Sequence, residues 1–274
     1  SATKMALAGK EAVKEKFKLR VPKAEEARAA IPVKEKPADI PIEEKIEFVL
    51  DIDREASEVK RPSDVHIVNR NVGYVDYSGQ LIVCNTEGTY VEMDLTYTRV
   101  ASMIYAHSAG VTQFGYESHG GAGGYEIMKV EKARKVGLEA ASQAVRLVKA
   151  KAPPAGKFVC ILDPDMTGLF IHEAFGHCCE ADHVLSGLSV VEDKLGKPVG
   201  SEAVTVIDDP TIPGLYGTFP YDHEGVRAKR KVIVDRGVLV GLMHNLETAS
   251  RMGAESTGNA RAQYYGNEPI IRMS

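Results

Sequence analysis

The sequence lacks three features that would place the protein in a specialised class. It has no apolar run of about 18 residues, so no segment is long enough to cross a membrane as a helix. Its formal net charge is only -4, with acidic and basic residues mixed along the chain, and such a surface does not attract nucleic acid. Its four cysteines, Cys84, Cys160, Cys178 and Cys179, have no disulfide-framework spacing, so we expect reduced thiols. These absences predict a soluble, cytoplasmic protein with no membrane partner and no direct nucleic-acid partner.

The first half of the 274 residues divides into a connector, a helix and a β-rich segment. Residues 3–18 have the Ala, Lys and Glu content of a helix, and prolines among charges predict a linker at about 20–41. An amphipathic helix is predicted over 42–56, with the apolar stripe Ile42, Ile46, Val49 and Leu50. Short β-branched and aromatic runs between residues 65 and 116, broken at Ser78–Gly79 and at the sequences TEG and SAG, predict an antiparallel β-meander. A long amphipathic helix follows at about 130–149.

The second half begins after the sequence KAPPAGK, which predicts a boundary near residues 152–156. The apolar run KFVCILD, residues 157–163, predicts a buried strand. Asp163 and Pro164 are the residue types that cap and begin a helix, so a helix should follow this strand directly. Further along we predict a strand at AVTVIDD, a hairpin that turns at Asp235, Arg236 and Gly237, and a helix from about Leu246 to Met252 that ends at Gly253.

The sequence GLFIHEAFGHCCEADH, residues 168–183, contains the most informative motif. His172, Glu173 and His177 supply the imidazole ligands and the carboxylate that a hydrolytic zinc site uses. On a regular helix, however, residues five apart lie about 140° apart around the axis. A π-type turn of about 4.4 residues reduces that separation to about 50°, and Gly176 lowers the cost of the distortion. The motif therefore predicts a locally widened helix, while ordinary core or surface histidines are the alternative.

A zinc site needs a third protein ligand, and the neighbouring residues offer several candidates. They are Cys178, Cys179, Glu180, Asp182 and His183. None is favoured, because each is more often a packing or capping residue.

Three further motifs have both structural and functional interpretations. YDHEGV contributes Asp222 and Glu224, which could orient a motif histidine by hydrogen bonding, although a turn with solvated charges is equally compatible. STGNAR contributes Asn259 and Arg261, which could hold a substrate carboxylate or backbone, although Asn259 is as compatible with a turn. GGAGG, residues 120–124, lacks the context of a phosphate-binding loop, and we predict a flexible loop there.

Four motifs together carry a family resemblance: HEAFGH after a DPxxxG strand exit, YDHEGV, VLVGLMHN and STGNARAQ. With them the sequence resembles the TldD/PmbA family of metalloproteases, also called the modulator of DNA gyrase family. The resemblance covers the chain from about Ile40 to its end, and the HExxxH motif is typical of TldD-like members. It implies zinc held by His172 and His177, with Glu173 as the general base. It also implies a third ligand, a cysteine from a C-terminal segment that we expect outside this chain, and a chain truncated at both ends.

The sequence and the resemblance together predict an α+β fold in three parts. Residues 1–41 would be a helix and linker from the tail of an N-terminal domain, and residues 42–153 a middle domain of β-meander and long helix. Residues 154–274 would begin a mixed α/β-rich metallopeptidase domain.

The predicted function is a zinc-dependent peptidase that hydrolyses unfolded or loosely structured peptides, with Glu173 activating the attacking water. The expected partner is a PmbA/TldE-like subunit or a second copy of the chain. The alternative is a non-catalytic peptide-binding or assembly subunit of a TldD/PmbA-type complex. A direct role in DNA topology is disfavoured by the acidic charge balance.

Overall fold

The structure is a computed structural model that describes Lys4 and residues 17–274. Almost all of the predicted 3–18 helix therefore lies outside the described residues. The described chain combines helices and strands, which confirms the predicted α+β class. In this part of the chain, no helix is both long enough and apolar enough to cross a membrane.

A four-stranded sheet forms the middle of the chain. Its strands are β1 (Glu26–Ala30), β2 (His66–Cys84), β3 (Tyr90–Ser108) and β4 (Val111–Ala122). β3 is central: β2 pairs antiparallel along one edge, whereas parallel β1 and antiparallel β4 share the other edge at different positions. The predicted meander is confirmed.

Two local predictions for this sheet are wrong. The Ser78–Gly79 break does not end a strand, because both residues continue the β2 to β3 pairing opposite Thr96 and Leu95. Part of the predicted 20–41 linker forms β1, which pairs with the start of β3. In both cases a neighbouring strand supplies hydrogen bonds that override the weak local preference for a turn or connector.

The predicted flexible loop at residues 120–124 is also wrong. Gly120, Gly121 and Ala122 complete β4, and the following glycines are buried. A Cβ atom on Gly124 would overlap the carbonyl oxygen of Glu35, so this position needs glycine for a close backbone approach rather than for flexibility.

Helices cover one face of the sheet. Helix α1 (Ile42–Ser57) confirms the predicted amphipathic helix, and a 3-10 turn (Tyr125–Lys129) precedes α2 (Glu131–Arg134) and α3 (Val136–Leu147). The predicted 130–149 helix is thus interrupted at Lys135. Phe48 and Ile52 of α1 pack with Val100 of the sheet in the core, whereas Ile42, Ile46 and Leu50 of the predicted stripe are exposed.

The C-terminal part contains short elements around a second core. They are α4 (Pro164–Ile171), a π turn (His172–Gly176), a 3-10 turn (His177–Cys179), α5 (Ala181–Leu185), β5 (Val206–Asp208), β6 (Lys231–Asp235), β7 (Val238–Leu239), α6 (Leu246–Met252), β8 (Ala260–Arg261) and β9 (Ile270–Ile271). Cys179, Val184, Ile233, Leu239 and Met243 are members of this core. The predicted hairpin is confirmed, with positive φ at Arg236 and Gly237, and α6 ends at Gly253 as predicted.

The predicted buried strand at residues 157–163 is wrong. These residues form no regular element, and Val159 and Ile161 are almost completely exposed. Every residue from Lys151 to Phe170 is exposed, including most of α4. A strand needs a neighbouring strand for its backbone hydrogen bonds, and no other strand of the described chain pairs with this segment. We call residues 157–171 the exposed arm.

Candidate metal centre

The helix that carries the motif starts at a well-defined cap. The Asp163 carboxylate accepts a hydrogen bond from the Met166 backbone N–H at 2.7 Å, and Pro164 occupies the first helical position. An aspartate cap satisfies an otherwise unpaired N–H, and proline there loses no hydrogen bond. The predicted start of α4 is therefore confirmed, although the arm around it is exposed.

The five-residue spacing of the two histidines is accommodated by a widened turn. Residues His172–Gly176 form a π turn, in which the His177 backbone N–H donates to the carbonyl of His172. The prediction of a locally widened helix is confirmed. As a result the His172 and His177 rings meet edge to face, with centroids 4.8 Å apart and planes at 88°.

Gly176 has a different role from the one predicted. Its backbone is ordinary right-handed helix, with φ -56° and ψ -48°, so the turn does not exploit the freedom of glycine. Instead, a Cβ atom at this position would overlap the sulfur of Met273. Gly176 is buried and allows the C-terminal residues of the chain to approach the widened turn.

The widened turn gathers a set of possible metal ligands. One ligand atom each from His172, Glu173 and His177 lies within 4.8 Å of the others, and His177 Nε2 is 3.9 Å from Glu173 Oε2. Two nitrogen ligands of one tetrahedral zinc ion are about 3.3 Å apart. The ligand atoms of His172 and His177 lie within 4.8 Å of one another, and the His177 side chain is 45% exposed, which leaves its ring room to rotate toward this separation. The donor set fits zinc, with solvent access for water.

Glu180 contacts the opposite side of the His177 ring. His177 Nδ1 is 3.2 Å from Glu180 Oε1, and His183 Nδ1 is 3.6 Å from Glu180 Oε2. Burial raises the pKa of Glu180, although the hydrogen bond with His177 opposes this shift. From the sequence, Glu180 is predicted only as a candidate third ligand. Its spacing of three residues from His177, which places side chains on one helix face, was the available signal.

The other third-ligand candidates are separated by the fold. Cys179 is fully buried in the C-terminal core, and burial raises the pKa of its thiol to about 12, so it stays protonated. Cys178 is half-buried and directs its sulfur toward the Ala174 carbonyl at 4.0 Å. Asp182 and His183 form a second group with Glu180, with ligand atoms within 4.8 Å.

Asp222 and Glu224 do not orient a motif histidine, which corrects that prediction. Buried Asp222 accepts hydrogen bonds from the backbone N–H groups of Glu224, Val226 and Ala260, and Glu224 accepts one from Leu246. Burial raises the pKa of Asp222 to about 6 and that of Glu224 to about 7. Among the described residues, the carboxylate hydrogen-bonded to a motif histidine is Glu180, because it is one helical turn away.

Asn259 and Arg261 hold the last residues of the chain in place. The Asn259 amide donates to the Arg272 carbonyl at 3.0 Å, and the Arg261 guanidinium donates to the Met273 carbonyl. Arg261 also stacks over Phe219, 5.0 Å from its ring centroid. These contacts position Met273 against Gly176, so both residues support the widened turn indirectly. Their predicted contact with substrate stays a prediction.

Comparison with known proteins agrees with this architecture. Two family models match the chain, one described as the PmbA/TldA metallopeptidase central domain over residues 35–148, the other as the PmbA/TldA metallopeptidase C-terminal domain over residues 155–274. The two matched domains are thus those of a metallopeptidase family. The chain belongs to the PmbA/TldD family.

Individual relatives carry corresponding names. A metalloprotease of Methanothermobacter thermautotrophicus is 44% identical over 87% of this chain and 51% of its own length. A zinc metalloprotease TldD homolog of Saccharolobus solfataricus is 30% identical over 83% of this chain and 51% of its own. A crystal structure from Thermotoga maritima, described as a proposed modulator of a DNA gyrase, superposes with a TM-score of 0.70 at 26% identity, covering 97% of this chain and 59% of that one. The chain spans about half the length of the curated relatives it matches.

Proposed function

We propose that this chain carries the zinc-binding part of a peptidase that hydrolyses unfolded or loosely structured peptides in the cytoplasm. The observation that carries the proposal is the π turn, which gathers His172, Glu173 and His177 around one solvent-accessible point. The name of the Saccharolobus solfataricus relative, a zinc metalloprotease, supports the choice of metal.

Each motif residue has a distinct role in this proposal. His172 and His177 would hold zinc through imidazole nitrogens, and one further ligand is expected outside this chain. When bound, zinc acidifies water and polarises the substrate carbonyl. Glu173 would remove a proton from the attacking water and deliver it to the leaving amine, since its carboxylate lies beside His177 and is open to solvent.

The experiment replaces Glu173 with Gln in a protein that carries both this chain and the segment expected to supply the third ligand. It measures bound zinc by mass spectrometry and cleavage of dye-labelled casein. We expect cleavage to fall by at least about 100-fold, because a general base is removed, while zinc content is unchanged. Asp165→Asn, on the exposed face of the same helix, is the matched control and should retain both properties. Undiminished cleavage by the Glu173→Gln variant would remove Glu173 from the mechanism.

A second candidate is a non-catalytic peptide-binding or assembly subunit that pairs with a PmbA/TldE-like subunit or a second copy. The observation that favours it is the exposed arm, whose apolar side chains suit an assembly contact. It predicts no bound zinc and no casein cleavage even when the segment expected to supply the third ligand is present. One zinc per chain together with cleavage would exclude it.

A further inference from the structure

The two ring nitrogens of His177 face different carboxylates. Nδ1 lies 3.2 Å from Glu180 Oε1, within hydrogen-bond distance, whereas Nε2 lies 3.9 Å from Glu173 Oε2 on the solvent-accessible side. A neutral imidazole has one N–H donor and one lone pair, and the partner of the donor decides which nitrogen is free to bind a metal. The geometry at His177 therefore depends on Glu180.

Glu180 is fixed by the C-terminal core. Its side chain is only 6% exposed, and the residues on either side are attached to Met243: the Ala181 N–H donates to the Met243 carbonyl at 3.0 Å, and the Met243 N–H donates to the Cys179 carbonyl at 2.9 Å. Met243 is itself almost completely buried. The backbone around Glu180 thus cannot move without disturbing the core.

The helix before His177 has no comparable support. Residues Pro164 to Phe170 of α4 are exposed, and Ile171 and His172 are only half-buried. The His177 side chain, directly after this helix, is itself 45% exposed, so a hydrogen bond from a rigid element is needed to hold its ring in one orientation.

We infer that Glu180 is a positioning residue for the proposed metal site: it accepts the Nδ1–H of His177 and so directs the Nε2 lone pair toward His172 and Glu173. This inference rests on the proposed function for the identity of the site. His183 assists, since its Nδ1 contacts the His177 carbonyl at 3.0 Å and lies beside the second oxygen of Glu180.

The direct test is the tautomer of His177 in the metal-free chain, measured by nitrogen-15 NMR at a pH where the ring is neutral. We expect the proton on Nδ1, the minor form of free histidine. A proton on Nε2 in the unaltered chain would overturn the inference without any variant. Glu180→Gln keeps an acceptor oxygen and should keep the Nδ1–H form, whereas Glu180→Met, of similar size, should lose it.

Zinc affinity provides the second readout, with Zn²⁺ alone titrated against a chromophoric chelator. Loss of a carboxylate behind a histidine ligand lowers metal affinity about 10- to 100-fold, and we expect this for Glu180→Met but not for Glu180→Gln. Asp182→Asn, a carboxylate of the same segment, is the matched control and should leave both readouts unchanged.

The outcomes separate this inference from the proposed function. If His172→Ala and His177→Ala leave zinc affinity unchanged, the proposed site is wrong. If those variants lose zinc but Glu180→Met keeps both the Nδ1–H tautomer and the affinity, only the role of Glu180 is wrong. Circular dichroism spectra verify that each variant is folded, and the unaltered chain decides the tautomer if Glu180→Met does not fold.

Discussion

The exposed arm and the segment that follows it differ sharply in packing, although they are consecutive in the chain. In the arm, Val159 and Ile161 are 101% and 99% exposed, while Cys179 and Ala181, just after the motif, are 0% exposed. The π turn lies at the transition. His172 therefore belongs to a weakly supported helix and His177 to the edge of a packed core, so the proposed metal site depends on the contacts at this junction.

The largest expected effect tests the packed side of this comparison. Lys231 Nζ and Asp208 Oδ2 form an ion pair at 2.7 Å, with side chains only 6% and 9% exposed. Lys231→Met leaves the Asp208 carboxylate buried without a cation, so we expect a loss of about 3–5 kcal/mol in the free energy of unfolding. Urea unfolding measures this free energy. Lys229→Met replaces an exposed lysine two residues earlier and should change the free energy of unfolding by less than about 0.5 kcal/mol. Equal losses in the two variants would contradict the comparison.

The next effect compares a buried and an exposed apolar residue within one helix, α1. Ile52 is 2% exposed and Leu50 is 56% exposed. Ile52→Ala should lower the free energy of unfolding by about 2–5 kcal/mol, because it leaves a cavity between the helix and the sheet. Leu50→Ala should cost less than about 0.5 kcal/mol. A large effect of Leu50→Ala in urea unfolding would mean that the exposed face is covered in solution.

An intermediate effect concerns the junction itself. Gly176→Ala forces Met273 to move, and we expect a loss of about 1–3 kcal/mol from overpacking. Met273→Ala in the same chain should recover part of that loss, which a double-mutant cycle from thermal unfolding will measure. Gly168→Ala, in the exposed arm with no atom within 4 Å, should instead be neutral or stabilising by up to about 1 kcal/mol. Additive effects of Gly176→Ala and Met273→Ala would contradict the contact.

A smaller effect appears in the pH dependence of stability. Burial raises the folded-state pKa of Glu224 to about 7 and of Asp222 to about 6, so the folded state binds protons more tightly than the unfolded state. Their stabilising contribution is complete below about pH 4 and is lost as pH rises toward 7, by up to about 1.4 kcal/mol per pH unit for each group. Glu224→Gln should flatten the dependence of urea unfolding on pH between about 4.5 and 7. Exposed Glu139→Gln should leave it unchanged, and an unaltered slope in both variants would refute the shift.

The smallest effect tests the exposed arm. Val159→Thr and Ile161→Thr remove apolar surface that makes no packed contact, so each should change the free energy of unfolding by less than about 0.5 kcal/mol. Thermal unfolding monitored by circular dichroism measures this. A loss of 2 kcal/mol or more would show that the arm is packed in solution.

Caps and turns that depend on one or two neighbouring residues could be predicted from the sequence. The Asp163 cap, the turn at Arg236 and Gly237 and the end of α6 at Gly253 follow from single residues with restricted hydrogen bonding or backbone geometry. The π turn could also be predicted, because two ligands five residues apart meet only on a widened helix.

Features that depend on distant residues could not be predicted. The strand expected at 157–163 lacks a pairing partner in the described chain, and β1 exists because the start of β3 lies beside it. Likewise the burial of Glu180 depends on Met243, and the need for glycine at 176 depends on Met273. The limits of the domains at residues 41 and 153, and the metal-binding role of the motif, stay predictions.

The exposed arm also has a consequence for the protein in concentrated solution. The run Phe158 to Leu162 combines β-branched and aromatic side chains, carries no charge and pairs with no strand of the described chain. This pattern promotes edge-to-edge association and aggregation. Prolines at 153, 154 and 164 flank it and limit how far such pairing can spread. The tendency of this chain to aggregate should therefore depend on the five residues Phe158 to Leu162 more than on its overall composition.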